Sequence, residues 1–187
     1  GRITIGRASG SFTFPSDFLL VAAMNPCPCG YLGHPRRACT CSHRQAEGYS
    51  RKISGPLADR LDLHCRVAAL EPGSWIDAGA HPAGLDSTTL RHQVAGARAL
   101  QAARWGKGMV NSEISSTRLL EDGRFSRPGL EVLRRVSSRL VLSGRGFVRA
   151  LRVARTVADL AGLHEVGETE ILEALSYRAS AEGSFES

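Results

Sequence analysis

Several features that would define common protein classes are missing from this 187-residue sequence. No apolar run approaches the roughly 20 residues that a membrane-spanning helix needs, so we predict no membrane association. We find no secretory signal, and five cysteines make an odd set, so we expect no disulfide framework. These absences predict a cytoplasmic protein. Because the chain starts with Gly1 and not with Met, we expect it to be part of a longer chain.

The motifs of a complete nucleotide-hydrolysing enzyme are also missing. A P-loop reads G-x-x-x-x-G-K-[ST], but the Gly106-Lys107 pair is followed by Gly108. No apolar strand ends in a paired Asp-Glu that could hold magnesium, and no G-x-S-x-G elbow occurs. The chain alone is therefore expected to be inactive as an ATPase, because it carries neither a Walker A nor a Walker B segment.

The net charge of +6 is unevenly distributed. Residues 1–70 carry nine Lys and Arg against four Asp and Glu, so 9 − 4 = +5. Residues 71–187 carry fifteen against fourteen, so 15 − 14 = +1. A basic first part fits an anionic partner such as nucleotide phosphates or nucleic acid, although a solvated basic surface explains the charge equally well.

The order of sequence patterns predicts an α/β protein in which a sheet-containing part precedes a helical bundle. Residues 2–14 alternate weakly around Ser9-Gly10 and predict a β-hairpin. The apolar run 17–24 predicts a strand of a parallel sheet, and 62–70 predicts a second strand. We assign residues 1–70 to the sheet-containing part, the Pro- and Gly-rich residues 71–86 to a linker, and residues 87–187 to the helical domain.

Helices are predicted on both sides of the linker. One begins after Ser42 and a short one begins near Pro56. Beyond the linker we predict a long helix capped by Ser87 and three further helices over 127–140, 143–162 and 167–180, the second of which stops at Gly162.

The helix over 143–162 has a polar stripe and an apolar face. The stripe consists of Arg145, Arg149, Arg152, Thr156 and Asp159. The opposite face carries Phe147, Ala150, Leu151, Ala154, Val157, Ala158 and Ala161. The stripe could bind phosphate at the helix start, or it could be a solvated face on which Arg155 and Asp159 are partly paired.

Four cysteines cluster as Cys27-x-Cys29 and Cys39-x-Cys41. Four thiolates are a ligand set for tetrahedral zinc, and His34 or His43 could replace one of them. The alternatives are an iron–sulfur cluster and reduced cysteines in a mobile loop. Cys65 stands apart and is predicted to be a small buried apolar residue.

Three blocks together carry a family resemblance: "FTFPSDFLLVAAMNPCPCGYLG", "SGPLADRLDLHCRV" and "SGRGFVRALRVARTVADLAG". In order and spacing they resemble the magnesium-chelatase-like AAA+ ATPases of the YifB/ComM family. The resemblance spans nearly the whole chain and corresponds to the C-terminal portion of such a protein. It implies a partial AAA+ core followed by an all-α lid bundle, with ATP and Mg²⁺ as cofactors and the P-loop in an upstream region.

The resemblance also implies roles for single residues. Asn25 matches sensor 1, which positions the water that attacks the γ-phosphate; the alternative is that Asn25 only starts a turn before Pro26. Arg60 matches the arginine finger that reaches the neighbouring subunit's ATP; the alternative is a surface pair with Asp59 or Asp62. Arg145 matches sensor 2, with Arg149 as second choice.

The hairpin resembles the pre-sensor 1 hairpin, where Arg2 and Arg7 could contact DNA phosphates; a purely structural hairpin is the alternative.

Three functions follow as alternatives. The first is a motor that forms a homo-oligomeric ring, expected to be a hexamer, and acts on DNA, as in branch migration during recombination. The second is a magnesium-chelatase-like motor with a client other than DNA. The third is a non-enzymatic, zinc-stabilised module that binds DNA or protein. We also expect the isolated chain to be poorly soluble, because the strand at 17–24 would lack its neighbours.

Overall fold

A computed structural model describes residues 1–69 and 86–182 of the chain. It is a mixed α/β structure in which a two-stranded hairpin and two short helices precede five longer or medium helices. The predicted linker lies almost entirely outside the described residues, so the proposed domain boundaries stay a prediction. Within the described ranges no helix is long and apolar enough to cross a bilayer.

The hairpin pairs β1, Arg2–Arg7, with β2, Gly10–Pro15, in antiparallel register. Ile3 lies opposite Phe14 and Ile5 opposite Phe12, so these four apolar side chains share one face. All four are exposed. The predicted hairpin is therefore confirmed, and it presents an uncovered apolar face.

The two parallel-sheet strands are not formed. Residues 17–24 and 62–69 have no regular structure, and the side chains of Phe18, Leu19, Leu20 and Val21 are 55 to 90 % exposed. A strand exists only when a neighbour takes up its backbone hydrogen bonds. The part of the chain that the structure describes contains just one ladder, between β1 and β2, so within it these runs have no neighbouring strand.

Two short helices follow the cysteine-rich loop. Helix α1, His43–Ser50, has Ser42 as its N-cap in a capping box with Gln45. Helix α2, Gly55–Ala58, is capped by Ser54 and has Pro56 in its first turn. Both helices agree with the sequence prediction.

The remaining helices form a bundle. Helix α3, Ser87–Trp105, is capped by Asp86 and not by Ser87 as predicted, because the Asp86 carboxylate accepts the Thr89 N–H. A 3₁₀ turn, Asn111–Glu113, and helix α4, Ser116–Asp122, follow; neither was predicted. Helices α5, Arg127–Arg139, α6, Gly144–Leu160, and α7, Glu168–Glu182, match the predicted segments.

The core of the bundle forms where α7 packs against α5 and α6 and α3 packs against α6. Its centre is made of fully buried apolar side chains, among them Leu119, Leu133, Leu151, Ala154 and Ile171. Gly162 ends the run of α6 with a φ of 70°, the left-handed region that glycine enters without a Cβ clash. The bundle fixes the N-terminus of α6, which faces the turn after α2.

Candidate functional site

The predicted arginine finger lies on a short turn that follows α2. Ser54 and Pro56 begin the helix, and the Arg60 and Leu61 N–H groups then donate to the Leu57 and Ala58 carbonyls at 2.9 and 3.0 Å. Arg60 is exposed, and its Nη1 donates to the Pro56 carbonyl at 2.7 Å. The turn therefore presents the guanidinium at the surface of the protein.

The acids that flank Arg60 are engaged by other residues. Both carboxylate oxygens of Asp59 accept from Ser143 Oγ at 3.1 Å, and Arg178 Nη2 donates to Asp59 Oδ1 at 3.0 Å. Asp62 Oδ1 lies 3.2 Å from Arg149 Nε. The alternative that Arg60 pairs with Asp59 or Asp62 is therefore not what the structure shows: these carboxylates bind α6 and α7 instead.

The predicted sensor 2 arginines lie beside this turn. Arg145 is half exposed, and its Nη1 is 3.8 Å from Asp59 Oδ2. Arg149 is mostly buried, and besides its contact with Asp62 it donates from Nη1 to the Asp59 carbonyl at 2.9 Å. Burial lowers the pKa of Arg149, and the nearby Asp62 opposes that shift. Arg145 is the more accessible of the two for a further anion.

The rest of the predicted polar stripe is bound by neighbouring protein groups. Arg152 donates to the Ile114 carbonyl at 2.7 Å, and Thr156 donates to the Arg152 carbonyl at 2.8 Å. Asp159 is buried and accepts from Arg104 and Asn111 as well as lying 3.1 Å from Arg155. The second half of the predicted stripe is therefore turned into the bundle, where α3 and the 3₁₀ turn supply its polar partners. The predicted pairing of Arg155 with Asp159 is present, but the pair is fully buried and does not lie on a solvated face.

The four clustered cysteines converge. The Sγ atom of Cys27 lies 3.4 Å from that of Cys29 and 3.6 Å from that of Cys39, and the Sγ atoms of Cys29 and Cys39 are 3.5 Å apart. All four Sγ atoms, including that of Cys41, lie within 4.8 Å of one another. A zinc ion with bonds of about 2.3 Å would place its tetrahedral sulfur ligands about 3.8 Å apart. The four thiols could therefore hold a metal ion of this size.

The pKa values of these thiols are shifted in opposite directions. Hydrogen bonds from the backbone of Tyr31 and Thr40 lower the pKa of Cys29 to about 5. At Cys39 the backbone of Cys41 lowers the pKa, but burial and the neighbouring thiols outweigh it and raise the pKa to about 12. A cluster of this kind shares protons among its sulfurs, and a divalent metal would replace them.

The histidines considered as substitutes are placed elsewhere. His34 accepts the Arg36 and Arg37 N–H groups on Nδ1, both at 3.1 Å, so its ring stabilises a turn of the loop. His43 is the first residue of α1 and is exposed. Cys65 is exposed, so its predicted burial is wrong; it lies on the segment 62–69, which forms no strand.

Asn25, the predicted sensor 1 residue, is exposed and lies next to the cysteine loop. Its side-chain amide lies beside Gly30: a Cβ atom added to Gly30 would be about 4 Å from it. No contact among the described residues joins Asn25 to Arg60 or Arg145. The structure thus places Arg145, the predicted sensor 2, near Asp59, the neighbour of the predicted finger Arg60, whereas Asn25, the predicted sensor 1, lies beside the cysteine loop.

The two hairpin arginines, Arg2 and Arg7, lie at opposite ends of β1. Arg2 pairs with Pro15 at the open end and Arg7 with Gly10 at the turn, roughly 17 Å away along the strand. Residues 2 and 7 also point to opposite faces, because side chains alternate. They cannot contact one run of phosphates together from the same face.

Sequence reasoning missed Arg178 as a part of this site. Nothing in the helical pattern around "ALSYR" distinguishes it from a surface arginine. The acidic pair around Arg60 did signal ion pairing in this turn, but it suggested Arg60 itself as the partner.

Two sequence families match the chain. Residues 1–75 match "Magnesium chelatase, subunit ChlI", and residues 84–178 match "Magnesium chelatase, subunit ChlI C-terminal". The competence protein ComM of Haemophilus influenzae is 37% identical over 180 residues, which cover 96% of this chain and 34% of that protein. An uncharacterized protein of Mycobacterium tuberculosis is 37% identical over 95% of this chain and 35% of its own length.

The uncharacterized protein YifB of Escherichia coli is 34% identical over 96% of this chain and 34% of its own length. The chain therefore spans about a third of the length of these curated relatives.

Proposed function

The chain belongs to the magnesium chelatase ChlI family of AAA+ ATPases, with ComM and YifB as relatives, and from that membership we propose that it is the C-terminal part of a ring-forming motor that acts on DNA. In this proposal the chain supplies sensor 1, the arginine finger and sensor 2 to ATP hydrolysis, and the P-loop belongs to an upstream region. We call the protein that contains both regions the completed ATPase.

One observation carries the proposal most directly: Arg60 is exposed while the acids beside it are bound elsewhere. An arginine finger has to keep its guanidinium available for a phosphate of another subunit. A surface arginine that only neutralised nearby acids would have been paired with Asp59 or Asp62. Within the described residues the Arg60 side chain makes one hydrogen bond, to the Pro56 carbonyl, and a phosphate can replace that bond.

The nucleotide would be held between subunits, with Mg²⁺ and the P-loop Lys coming from the upstream region. In this chain Arg145 would face the phosphates of the same subunit from the N-terminus of α6, where the N–H groups add positive potential. Asn25 would orient the attacking water through its amide, which can donate to a phosphate oxygen and accept from water. Arg60 would serve the neighbouring site.

DNA as the client rests on the relatedness to a protein named for competence and on the basic charge of residues 1–70. Counterion release from phosphates favours such basic surfaces. The exposed apolar face of the hairpin and the segments 17–24 and 62–69, which form no strand in the described structure, fit a chain whose sheet is completed by upstream strands.

We also propose that the four clustered cysteines bind Zn²⁺ as a structural ion. Four thiolates leave no open coordination position, so the ion would supply order to the loop and no Lewis-acid chemistry. The loop has little apolar core of its own, since only Cys27 among residues 26–41 is fully buried, and its other contacts are exposed ones around Tyr31 and His34. Zinc would then fix the segment that follows Asn25.

The test is steady-state ATP hydrolysis by the completed ATPase, with and without a four-way DNA junction, for the wild type, Arg60→Ala and Arg51→Ala. Arg51 is an exposed arginine at the C-cap of α1 that pairs with Glu47, so its replacement controls for loss of charge. We expect the junction to stimulate turnover, Arg60→Ala to lower kcat about a thousandfold with ATP still bound, and Arg51→Ala to have little effect.

Two other outcomes favour the other functions. Hydrolysis that depends on Arg60 but ignores DNA would favour a magnesium-chelatase-like motor with a different client, which the family match also fits. Zinc-dependent DNA binding without any hydrolysis would favour a non-enzymatic module and would overturn the roles of Asn25, Arg60 and Arg145 together.

A further inference from the structure

Arg178, on the last helix, contacts the chain on both sides of Arg60. Its Nη1 donates to the Leu61 carbonyl at 2.6 Å, and its Nη2 donates to Asp59 Oδ1 at 3.0 Å. These contacts join residues that are more than 110 positions apart in sequence. The two accepting residues, Asp59 and Leu61, directly precede and follow Arg60. Arg178 is only 7 % exposed, so its side chain is buried against this turn.

Neighbouring contacts hold the same segment. The His64 N–H donates to the Tyr177 carbonyl at 3.1 Å, and His64 Nε2 lies 3.1 Å from the Ala58 carbonyl. From α6, Arg149 donates to the Asp59 carbonyl at 2.9 Å. The backbone from Ala58 to His64 is thus tied to the helical bundle at several points, and the Arg60 side chain is left as its exposed element.

The guanidinium of Arg178 suits this task in a way that an ammonium would not. Its planar fork sends two donors in fixed directions to a carbonyl and a carboxylate. Its Nε is buried and has no hydrogen-bond partner within the described ranges, so the side chain depends on these two bonds to offset its desolvation. A lysine could reach one acceptor but would not hold both in one plane.

We propose that Arg178 is a positioning residue for the arginine finger: it fixes the backbone on either side of Arg60 so that the finger is presented to the adjacent subunit's ATP. The proposal rests on the proposed function. Its consequence is that the helical bundle, which carries Arg145, also sets the geometry of a finger that serves a different nucleotide site. A displacement of about 1 Å at a reacting centre can cost a hundredfold in rate.

The test compares Arg178→Lys with Arg135→Lys, the same exchange at an exposed arginine of α5, in the completed ATPase. We expect Arg178→Lys to lower kcat ten- to a hundredfold with a change in the KM for ATP below twofold, while Arg135→Lys changes neither. Far-UV circular dichroism and ring assembly should match the wild type in both variants.

The decisive experiment measures kcat for the double variant that carries both Arg178→Lys and Arg60→Ala. Because Arg178 acts through Arg60, the double variant should be no slower than Arg60→Ala alone. A further equal loss in that background would show a general structural role and would overturn the proposal, as would an unchanged kcat in the single variant.

Amide hydrogen exchange gives a second readout: residues 60–64 should exchange faster in Arg178→Lys and at the wild-type rate in Arg135→Lys. Unchanged exchange there would also overturn the proposal.

The two possible failures are distinguishable. If the wild type hydrolyses no ATP or does not depend on Arg60, the proposed function falls and this inference falls with it. If the wild type is active and Arg60-dependent while Arg178→Lys keeps full kcat, only the inference falls.

Discussion

Asp159 holds a buried charge cluster in the helical bundle, and its replacement by asparagine should destabilise the protein strongly. Its carboxylate accepts from Arg104 Nη1 and Nη2 at 3.1 and 2.7 Å and from Asn111 Nδ2 at 3.0 Å. Arg155 Nη2 lies 3.1 Å from it, and both side chains of that pair are fully buried. Two arginines therefore share one carboxylate in the interior.

The expected magnitude follows from the charge that would be left behind. Arg155 also donates to the Gly123, Leu163 and His164 carbonyls, so it cannot turn to solvent. Burial already lowers the pKa of Arg155, and Asp159 opposes that shift. Removing one partner of a buried ion pair costs about 3–5 kcal/mol. Asp159→Asn should therefore lower the midpoint of thermal unfolding by more than about 10 °C in a domain of this size.

The assay is urea and thermal unfolding followed by circular dichroism at 222 nm. The control is Glu131→Gln, which removes the exposed carboxylate of an i,i+4 pair with Arg127 and should cost about 0–1 kcal/mol. Arg104→Met should cost less in the Asp159→Asn background than alone, because the charge it compensates is gone. A loss at Asp159→Asn no larger than that of the control, or strictly additive effects, would refute the reasoning.

Three further predictions concern other parts of the chain. Purified protein should hold one zinc per chain by elemental analysis; Cys39→Ser should lose it and Cys65→Ser should keep it, and retention in Cys39→Ser would contradict the four-thiolate site. Ser126→Ala, at the N-cap of α5, removes the bond from the Gly129 N–H at 3.0 Å and should lower the free energy of unfolding by about 1 kcal/mol, whereas Ser116→Ala, the first residue of α4, should change it little; equal effects in urea titrations would speak against a capping role. Because Arg7 lies at the hairpin turn and Arg2 at the open end, Arg7→Ala should reduce DNA affinity and the salt dependence of binding more than Arg2→Ala; equal effects in fluorescence titrations would argue against contact through the turn.

Helices could be predicted from the sequence where local signals decide the structure. The signals that begin or end a helix contact backbone groups no more than one helical turn away, as at Ser42, Ser54 and Gly162. The nearby sequence is therefore enough to predict these helix ends. The cap of α3 was placed one residue late because Asp86 and Ser87 are both good caps, and only the backbone geometry shows which side chain accepts. The short α4 was missed because seven residues give too little periodicity.

The strands could not be predicted in the same way. The apolar run 17–24 is typical of a buried strand, but burial and pairing depend on neighbours that are distant in sequence. Among the described residues those neighbours are missing, and the run is exposed. Local pattern predicts what such a segment prefers, and the partner determines whether the preference is met.

In the candidate site, too, features set by nearby residues could be predicted and features set by distant residues could not. The convergence of four cysteines followed from their spacing, because two short pairs in one loop can reach one point. The partners of Asp59 and Asp62 did not, because Arg178 and Arg149 come from helices about 90 to 120 residues later. In the same way, the inward turn of Asp159 depends on Arg104 and Asn111, which a helical wheel of α6 alone does not contain.

The central claim is that Arg60 acts on the ATP of a neighbouring subunit, and a subunit-mixing experiment tests it most directly. One form of the completed ATPase carries Arg60→Ala with an intact P-loop; the other carries an inactivating P-loop substitution with Arg60 intact. We predict that each is inactive alone and that mixed rings regain hydrolysis, because one subunit supplies the finger and the other the nucleotide site. If mixing restores nothing although mixed rings form, Arg60 does not work in trans and the account is contradicted.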